Sequence, residues 1–248
     1  MNGKEYIIEE EGNVKEKYNL DSYNKSCLLV QLDGISNTRN GHSQNTTVWE
    51  DLSGNNNDFT KLSNVADVKW SENSFKGDGT TNSTLVLNKE ILKNATECTI
   101  EVCYDVPKLK DYYWVFQSRQ NNNPANGFQF ATVATGRSID ASANNSVFNS
   151  INNIINITDI GKKTMAFALD SDNITYSDNA SLYSEETKEG IVQSIADRTC
   201  YAIGSMYPWN PYAGYFEGNI YAIRVYNRKL SEEELRHNYE VDKQRFNM

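Results

Sequence analysis

The sequence predicts an all-β fold, a sandwich of two antiparallel sheets with a short α-helix at the C-terminus. Short strand-like segments recur along the chain and are separated by turn signals. The 15 Tyr and the many Thr residues favour strands, and the abundant Asn and Ser residues favour turns. At 248 residues the chain fits one large sandwich or two small domains, and it is long enough to bury a sizeable core.

The clearest strand signal lies in segment 99–106, where side chains alternate between two environments. Ile100 and Val102 point to one face, while Glu101 and Asp105 point to the other. Comparable but shorter patterns occur elsewhere in the chain, so we expect many antiparallel strands. The predicted strands are 28–32, 67–70, 84–87, 99–106, 112–118, 127–133, 163–169, 173–176, 200–205 and 219–226.

The chain divides into a leading segment and one domain. Residues 1–25 are charged and weakly patterned, and we expect a hairpin or a linker there. Residues 26–248 are expected to form the sandwich domain. Within it, the Lys-Gly-Asp-Gly sequence at 76–79 indicates a turn.

One helix is well signalled near the C-terminus. Ser231 is a favourable N-cap and Glu234 stands at the third helical position, which makes a capping box. Leu230 and Leu235 flank the cap at the spacing of a hydrophobic staple. We therefore predict a helix that begins after Ser231 and packs against the sheet.

Charge and hydropathy exclude some classes of partner. The net charge of −9 argues against nucleic acid or an anionic membrane surface, because both attract a basic face. No apolar run approaches the ~20 residues that a membrane-spanning helix needs. The N-terminus also lacks the apolar region of a secretory signal peptide, which favours display by assembly into a particle or removal of a signal.

The four cysteines are too few and too scattered for a disulfide framework or a zinc ribbon. Cys98 and Cys103 are an odd number of positions apart on one predicted strand, so they should point to opposite faces. We expect Cys27, Cys98, Cys103 and Cys200 to be free, partly buried thiols.

Three segments resemble the LamG-like jelly roll of the concanavalin A-like lectin/glucanase superfamily. They are VWEDLSGNNND at 48–58, TIEV at 99–102, and the closing stretch at 216–234 that contains FEGNI and RVYNRKLSEEE. The resemblance implies a two-sheet antiparallel jelly-roll sandwich. The opening stretch at 32–43 is similar to versions found in tail and surface proteins of low-GC Gram-positive bacteria and their phages.

The loop at 51–58 offers oxygen ligands of the kind that calcium prefers. The resemblance implies that calcium is possible near such loops, although the spacing is not that of an EF-hand. The alternative is an Asx-rich turn, in which these side chains bind their own backbone. The candidate metal ligands are Asp51, Asn55, Asn57 and Asp58.

Two loops combine aromatic rings with amide or guanidinium groups, which is the chemistry that sugar binding needs. Aromatic residues in a loop are harder to explain as core than those on a strand, because loops run over the surface. The alternative is that these rings fold back into the sandwich. Trp49 and Trp70 lie in strand-like contexts and are expected to be structural. The candidate ligand-binding residues are Tyr207, Trp209, Asn210 and Tyr212 in one loop, and Trp114, Gln117, Arg119 and Asn121 around the other.

From these patterns we hypothesise a non-catalytic, lectin-like module that recognises a glycan or a cell-surface polysaccharide. It would be displayed on a phage tail, a tail-like particle or a bacterial surface, where a homo-oligomer or array would supply avidity. One alternative is a structural or protein-binding laminin-G-like domain. Another is a glycan hydrolase, which would need two carboxyl groups roughly 5–9.5 Å apart, but the E-x-D-x-x-E signature of the superfamily's glucanases is absent.

Overall fold

The structure is a computed structural model, and it describes residues 5–8, 14–63, 67–79, 84–110, 113–118, 126–134, 136–142, 150–155, 160–206 and 215–248. The helices are α1 (Ile191–Ala196) and α2 (Glu232–Phe246). The strands are β1 (Glu5–Ile8), β2 (Val14–Lys17), β3 (Leu28–Asp33), β4 (Val48–Trp49), β5 (Phe59–Lys61), β6 (Lys69–Trp70), β7 (Phe75–Asp78), β8 (Leu85–Leu87), β9 (Cys98–Asp105), β10 (Tyr113–Gln117), β11 (Gly127–Val133), β12 (Gly136–Ser142), β13 (Ser150–Ile155), β14 (Lys163–Leu169), β15 (Asn173–Asp178), β16 (Ser181–Glu186), β17 (Tyr201–Ile203) and β18 (Glu217–Tyr226).

Two antiparallel sheets form the sandwich, as the sequence predicted. Sheet I has the order β16-β15-β14-β9-β18-β7-β6, and β3 also pairs with β18. The long strand β18 shares one edge between two partners: residues 217–220 pair with β7 and residues 222–226 pair with β3. Sheet II has the order β13-β12-β11-β10-β17-β8-β5-β4.

Aromatic and branched side chains fill the space between the sheets. Phe167 of sheet I meets Phe128 and Phe130 of sheet II at 5.7 Å between ring centroids in both pairs. At the opposite side of the core, Trp49 packs edge-to-face on Trp70 at 5.2 Å. The expectation that these two tryptophans are structural is confirmed, because both are buried and both indole N–H groups donate to backbone carbonyls.

Helix α2 begins as the sequence predicted. The Ser231 hydroxyl accepts from the backbone N–H of Glu234 at 3.3 Å, and the Glu234 carboxylate accepts from the backbone N–H of Ser231 at 2.9 Å. Leu230 and Leu235 lie in one buried cluster, so the staple is also confirmed. This cap satisfies backbone donors that a helix N-terminus would otherwise leave unpaired.

The outer face of sheet I is polar, and α2 closes it through a buried charge network. Arg224 of β18 donates to both carboxylate oxygens of Asp242 on α2, at 2.8 and 2.7 Å, and its Nε donates to Glu101 of β9 at 2.7 Å. Tyr23 donates to Asp242 at 2.7 Å, and its ring lies 4.3 Å from the Arg224 guanidinium. The helix is thus held by paired charges as well as by apolar contacts.

A second set of contacts completes the seal between α2 and sheet I. Asn238 donates to Glu101 at 2.8 Å and to the hydroxyl of Tyr226 at 3.0 Å. Near the end of the helix, Arg245 donates to Asp33 of β3 at 2.8 Å. Each buried charge of this face therefore has an oppositely charged partner, which is the condition under which buried ions are tolerated.

The leading segment contains the pair β1 and β2, which are antiparallel. The turn expected between them lies outside the described residues. Further along, Tyr23 joins the charge network, and the backbone N–H of Asn24 donates to Asn238 at 3.1 Å. The end of the predicted leading segment therefore packs directly on α2.

The prediction of a turn at 76–79 was wrong for most of its length. Residues 76–78 belong to β7, which pairs with the start of β18. Gly77 is required there for close approach, because an added Cβ would lie 2.2 Å from the carbonyl oxygen of Phe216. Strands β4, β5, β12, β13 and β16 and helix α1 were not predicted either.

The four cysteines are free thiols in the structure, and Cys27 is the exposed one. Cys98 belongs to the inter-sheet core and Cys103 to the cluster beneath α2, so the prediction that they point to opposite faces is confirmed. No helix in the described part of the chain is both long and apolar enough to cross a lipid bilayer.

Candidate functional site

A cleft of about 450 Å³ opens at the end of the sandwich where β7, β9 and β18 meet. Because these strands belong to sheet I and are firmly paired, the walls of the cleft are rigid. Its lining combines carboxylate, amide and ammonium groups with a short apolar stretch. The lining residues are Lys76, Gly77, Asp78, Asp105, Val106, Pro107, Ile160, Gly161, Glu217, Gly218 and Asn219.

Asp105, at the end of β9, organises the polar part of the cleft. One of its oxygens accepts from the backbone N–H and the side-chain amide of Asn219, at 3.1 and 2.9 Å. The other oxygen accepts from the Tyr221 hydroxyl at 2.6 Å. Burial and the hydrogen bond to Asp105 raise the pKa of Tyr221 above its usual range. The phenol thus stays protonated and keeps the carboxylate fixed.

Glu217, at the start of β18, forms the second polar group. It accepts a hydrogen bond from the Tyr113 hydroxyl and lies 3.1 Å from the ammonium of Lys108. Both contacts lower the pKa of Glu217, the phenol contributing most. Burial, followed by the bond to Glu217, raises the pKa of Tyr113 to about 12. Asp78 stands opposite Glu217 in the strand register and binds Lys69 at 2.8 Å.

Two glycines give the cleft walls of bare backbone. A Cβ at Gly218 would lie 2.2 Å from the carbonyl oxygen of Asp105, and the φ of Gly218 is +141°. Gly77 approaches Phe216 equally closely. A side chain at either position would require the paired strands to separate, so glycine sets the shape of this end of the sandwich.

The other side of the cleft is apolar. Val106, Pro107 and Ile160 lie there, and Ile160 is 42 % exposed. Behind this wall, the buried guanidinium of Arg137 donates to the carbonyl of Gly161 and so fixes the backbone next to Ile160. The cleft therefore offers hydrogen-bonding groups on one side and apolar contact on the other, which is the composition of many small-molecule sites.

The aromatic segment 207–214 is flanked on both sides by described residues that lie near this cleft. On its near side the backbone N–H of Gly204 donates to Val115 at 3.1 Å, and on its far side that of Phe216 donates to Gly204 at 3.2 Å. Phe216 immediately precedes Glu217, and its carbonyl accepts from Gly79 at 3.0 Å. Tyr207, Trp209, Asn210 and Tyr212, predicted to bind ligand, lie outside the described residues.

The second predicted group lies elsewhere. Trp114 pairs with Ala131 in sheet II and Gln117 pairs with Gln129, and none of the four belongs to the inter-sheet core, so these side chains lie on the outer face of that sheet. Trp114 and Gln117 are nevertheless buried, at 3 % and 1 % exposure. Arg119 and Asn121 lie outside the described residues.

The two predicted loops do not leave the sandwich at the same end. Strand β10 begins at Tyr113, which contacts Glu217 in the cleft, and it ends at Gln117, just before the loop at 119–125. The aromatic loop at 207–214 is joined to the cleft end of β10, since Gly204 is bonded to Val115 there. The described residues that flank these two segments therefore lie at different ends of β10.

The loop predicted to hold calcium is tied to its own backbone. Asp51 accepts from the backbone N–H groups of Gln31, Ser53 and Asn57, each at 2.9 Å, and from the Ser53 hydroxyl at 2.8 Å. Asp58 accepts from the backbone N–H of Asp51 at 2.8 Å. These are the contacts of an Asx-rich turn.

The two amides of this loop are engaged as well. Asn55 donates to Leu28 O at 2.8 Å and Asn57 donates to Leu29 O at 2.7 Å, while Lys89 donates to the side-chain oxygen of Asn57 at 2.5 Å. Within the described residues, no group of three or more His, Cys, Asp or Glu side chains is arranged to hold a metal ion. Calcium binding here stays a prediction, and it would require several of these hydrogen bonds to be exchanged for metal ligands.

Comparison with known proteins identifies the fold. No protein-family model matches the sequence, and no curated protein matches it. Among solved structures, domain 4 of a GH43 extracellular arabinanase from Geobacillus stearothermophilus, in complex with arabinotriose, is 13 % identical with a TM-score of 0.63. The match covers 84 % of this chain and 96 % of that domain.

Receptor-binding domains of botulinum neurotoxins also match. That of the C/D mosaic serotype is 14 % identical with a TM-score of 0.60, over 88 % of this chain and 52 % of that one. The binding domain of neurotoxin DC in complex with SialylT is 14 % identical with a TM-score of 0.62, over 87 % and 52 % of the two chains. The chain thus spans about half the length of the neurotoxin domains, and the likeness to all three structures is one of fold.

The cleft itself was not predicted from the sequence. Asp105 was noted only as one of two carboxylates on a strand face, and Glu217 only as part of the closing stretch. The useful signal was the Glu-Gly-Asn sequence at 217–219, where a glycine stands between an acid and an amide at the start of a strand. Such a glycine indicates a close backbone approach, and close approaches often border a ligand site.

Proposed function

We propose that this chain is a non-catalytic carbohydrate-binding module that recognises a surface glycan or cell-surface polysaccharide. The observation that carries the proposal is the cleft with the polar groups of Asp105, Asn219 and Glu217, beside the ends of a loop that contains Tyr207 and Trp209. Hydrogen-bonding groups and ring faces side by side are what a sugar needs for recognition. Two of the structures that share the fold are complexes, with arabinotriose and with SialylT.

The chemistry of the cleft supports binding rather than hydrolysis. A glycosidase needs one carboxylic acid that stays protonated to donate to the leaving group, and such a group has a raised pKa. The pKa of Glu217 is instead lowered, first by the Tyr113 hydroxyl and then by Lys108. Asp78 is paired with Lys69, and Asp105 accepts three hydrogen bonds. In the described part of the cleft, these carboxylates therefore act as fixed acceptors.

We further propose that the module belongs to the laminin-G-like group of concanavalin A-like sandwiches and is displayed outside the cell. The closing stretch at 216–234 supports the first point, because the strand, the cap and the staple occur there in the order that the resemblance implies. Display on a phage tail, a tail-like particle or a bacterial surface would allow repetition in an oligomer or array. Repetition would convert weak single contacts into useful avidity.

A glycan-array screen with three variants tests this proposal. We expect Trp209→Ala and Lys76→Ala, which change the loop and the rim of the cleft, to weaken binding of the best glycan by about tenfold or more for the first and by less for the second. Tyr183→Ala is the matched aromatic control, because Tyr183 is 56 % exposed on the edge strand β16, away from the cleft. Unchanged binding by Trp209→Ala, or a loss confined to Tyr183→Ala, would overturn the assigned site.

Two alternative functions predict different results in binding and hydrolysis assays. A protein-binding domain is the main alternative, and one neurotoxin structure that shares the fold is a complex with rat synaptotagmin II. It predicts no glycan signal and retention of a protein partner. A hydrolase predicts new reducing ends when the protein is incubated with polysaccharides, and their appearance would contradict the non-catalytic proposal.

A further inference from the structure

Arg198 lies at the end of the sandwich opposite to the cleft, and its side chain makes few polar contacts with the described residues. It follows α1 closely and lies where β10 ends and β11 begins, at the loop end of that hairpin. Among the described residues, its guanidinium makes one hydrogen bond, a long one of 3.4 Å to the backbone carbonyl of Asn126. Its Nε is buried and has no hydrogen-bond partner in this part of the chain. Burial lowers the pKa of Arg198, although the nearby Asp197 acts in the opposite direction.

The lack of an ion pair at Arg198 is unusual among the arginines in the described part of the chain. The side chain of Arg198 is partly buried, yet it forms no ion pair, whereas most other arginines that the structure describes bind a carboxylate. Arginine stays protonated in proteins, so Arg198 keeps a charge that no described carboxylate contacts directly. The arginines that bind carboxylates are Arg39, Arg224, Arg228, Arg236 and Arg245.

The surroundings of Arg198 are small and polar. A Cβ added at Gly127 would lie 2.8 Å from the Ser118 hydroxyl and 3.0 Å from Cδ of Arg198, so both side chains rest against the bare backbone of this glycine. The φ of Gly127 is +109°, a conformation that favours glycine. Ser194 fixes the glycine by accepting from its backbone N–H at 2.8 Å. The corner is therefore rigid although its charge is unpaired.

A second unmet group lies in the same corner. The side-chain oxygen of Asn126 is buried without a hydrogen-bond partner, next to the carbonyl that Arg198 contacts. Among the described residues, the Nε of the Arg198 guanidinium thus lacks a hydrogen-bond acceptor, and the side-chain oxygen of Asn126 lacks a donor. A carboxylate can accept from the guanidinium, and a hydroxyl can donate to Asn126. Uronic acids carry a carboxylate and a hydroxyl on neighbouring ring carbons.

We propose that Arg198 and Asn126 form a subsite for the carboxylate and an adjacent hydroxyl of a uronic acid. The planar guanidinium matches a carboxylate in geometry and charge, and Asn126 accepts from the hydroxyl. This assignment rests on the proposed glycan-binding function and narrows it, because it names an acidic sugar as part of the target. The net charge of −9 repels anions at long range, so such a ligand needs a local cation of this kind.

The test is a titration followed through the arginine Nε–Hε signals in ¹H–¹⁵N NMR spectra. Sodium glucuronate is added to the full chain, with glucuronamide as the neutral isostere and sodium chloride as the ionic-strength control. We expect the Arg198 signal to shift with glucuronate at millimolar concentrations, which is ordinary for a single sugar, and to stay in place with the two controls. No shift, or an equal shift with glucuronamide, would overturn the subsite.

Variants assign the effect to this side chain. Arg198→Gln should weaken glucuronate binding, followed through the amide signals of Asn126 and Gly127, at least tenfold. Arg198→Lys keeps the charge without the planar fork and should weaken it several-fold. Arg236→Gln is the control, because Arg236 is an exposed arginine on α2 and should leave binding unchanged. Unaltered binding by Arg198→Gln would contradict the assignment.

Two further measurements distinguish this subsite from the proposed glycan site and from a site for another anion. Trp209→Ala should still bind glucuronate at Arg198 even where it loses binding on the glycan array, so failure of one proposal is distinguishable from failure of the other. Inorganic phosphate tests the class of anion. Tighter binding of phosphate than of glucuronate at the Arg198 signal would overturn the choice of a carboxylate.

Discussion

Arg224 and Arg198 are two buried or partly buried arginines of the same sandwich, and their surroundings are opposite in character. Arg224 lies under α2, where its guanidinium donates to Asp242 and Glu101 and rests on the ring of Tyr23. Burial alone would lower the pKa of Arg224, but Asp242 and Glu101 reverse this and raise it above its usual range. Arg198, by contrast, forms one long hydrogen bond and no ion pair with the residues that the structure describes.

Arg224 is paired with carboxylates that hold α2 on the sheet, whereas Arg198 forms no ion pair with the described residues. On the outer face of sheet I, the helix supplies the partner for the sheet's arginine, so nothing is left for a ligand to satisfy. At the far end of sheet II, no carboxylate of the described residues forms an ion pair with Arg198, and Asp197 acts on it only at a distance. A buried polar group without a partner costs free energy, so each such group calls for an explanation, and a bound ligand is the one proposed for Arg198.

The strongest way to break this comparison is to replace Arg224. We expect Arg224→Met to lower the free energy of unfolding by about 3–5 kcal/mol, because Glu101 and Asp242 would stay buried without a cation. Urea unfolding at pH 7 measures the change. Adding Asp242→Asn to Arg224→Met should restore part of the loss, since one uncompensated carboxylate is then removed.

The control for this prediction is Arg236→Met, on the exposed face of α2. Its ion pair with Glu232 is long, at 3.9 Å, and both side chains are largely exposed. We expect its effect on stability to stay within about 0.5 kcal/mol. A similar small effect for Arg224→Met would mean that the network beneath α2 contributes little, and the comparison would lose its basis.

Some elements of this fold could be predicted from sequence and others could not. The start of α2 was predictable because the signals of Ser231 and Glu234 are local: each residue acts on backbone groups within one turn. The identity of β7 was not, because Gly77 looks like a turn residue until the carbonyl of Phe216 is known to lie against it. Strand β12 and helix α1 lack any comparably strong local signal.

The candidate site was less predictable than the fold, for a related reason. The aromatic loop that contains Trp209 stands out in the sequence by composition alone. The partners that define the cleft, Asp105 and Glu217, are far apart in the chain and meet only through the pairing of β9 with β18. Arg198 was missed altogether, because what distinguishes it is a missing carboxylate, and a sequence does not show which charges stay unpaired.

A third arginine, Arg228, offers a milder test that sharpens the comparison. It lies nearer the surface and donates to both oxygens of Glu234, at 2.8 and 2.7 Å. This contact lowers the pKa of Glu234 from 4.5 to about 2. Because the pKa is depressed in the folded state, the stabilisation is complete above the ordinary value and is lost as the pH falls towards 2.

The variant Glu234→Gln keeps the capping hydrogen bond and removes the charge. We expect it to lower the free energy of unfolding by about 1 kcal/mol at pH 7, and the difference from the parent protein should shrink as the pH falls from about 4.5 to 2. Urea unfolding at several pH values measures it. Glu233→Gln, an exposed neighbour in the same turn, should show no such convergence. A gap that stays constant with pH would contradict the role given to the ion pair.

The smallest expected effect is also the one that bears most directly on Arg198. Arg198→Met keeps most of the aliphatic contact with Gly127 and removes a charge that no carboxylate compensates. The same substitution that is severe at Arg224 should here change the free energy of unfolding by no more than about 0.5 kcal/mol, or should stabilise the protein, because an unpaired partly buried ion is lost. Urea unfolding measured beside Arg224→Met provides the comparison. A loss above about 2 kcal/mol would mean that Arg198 holds the fold together, and the uronic-acid subsite would then lack its physical motive.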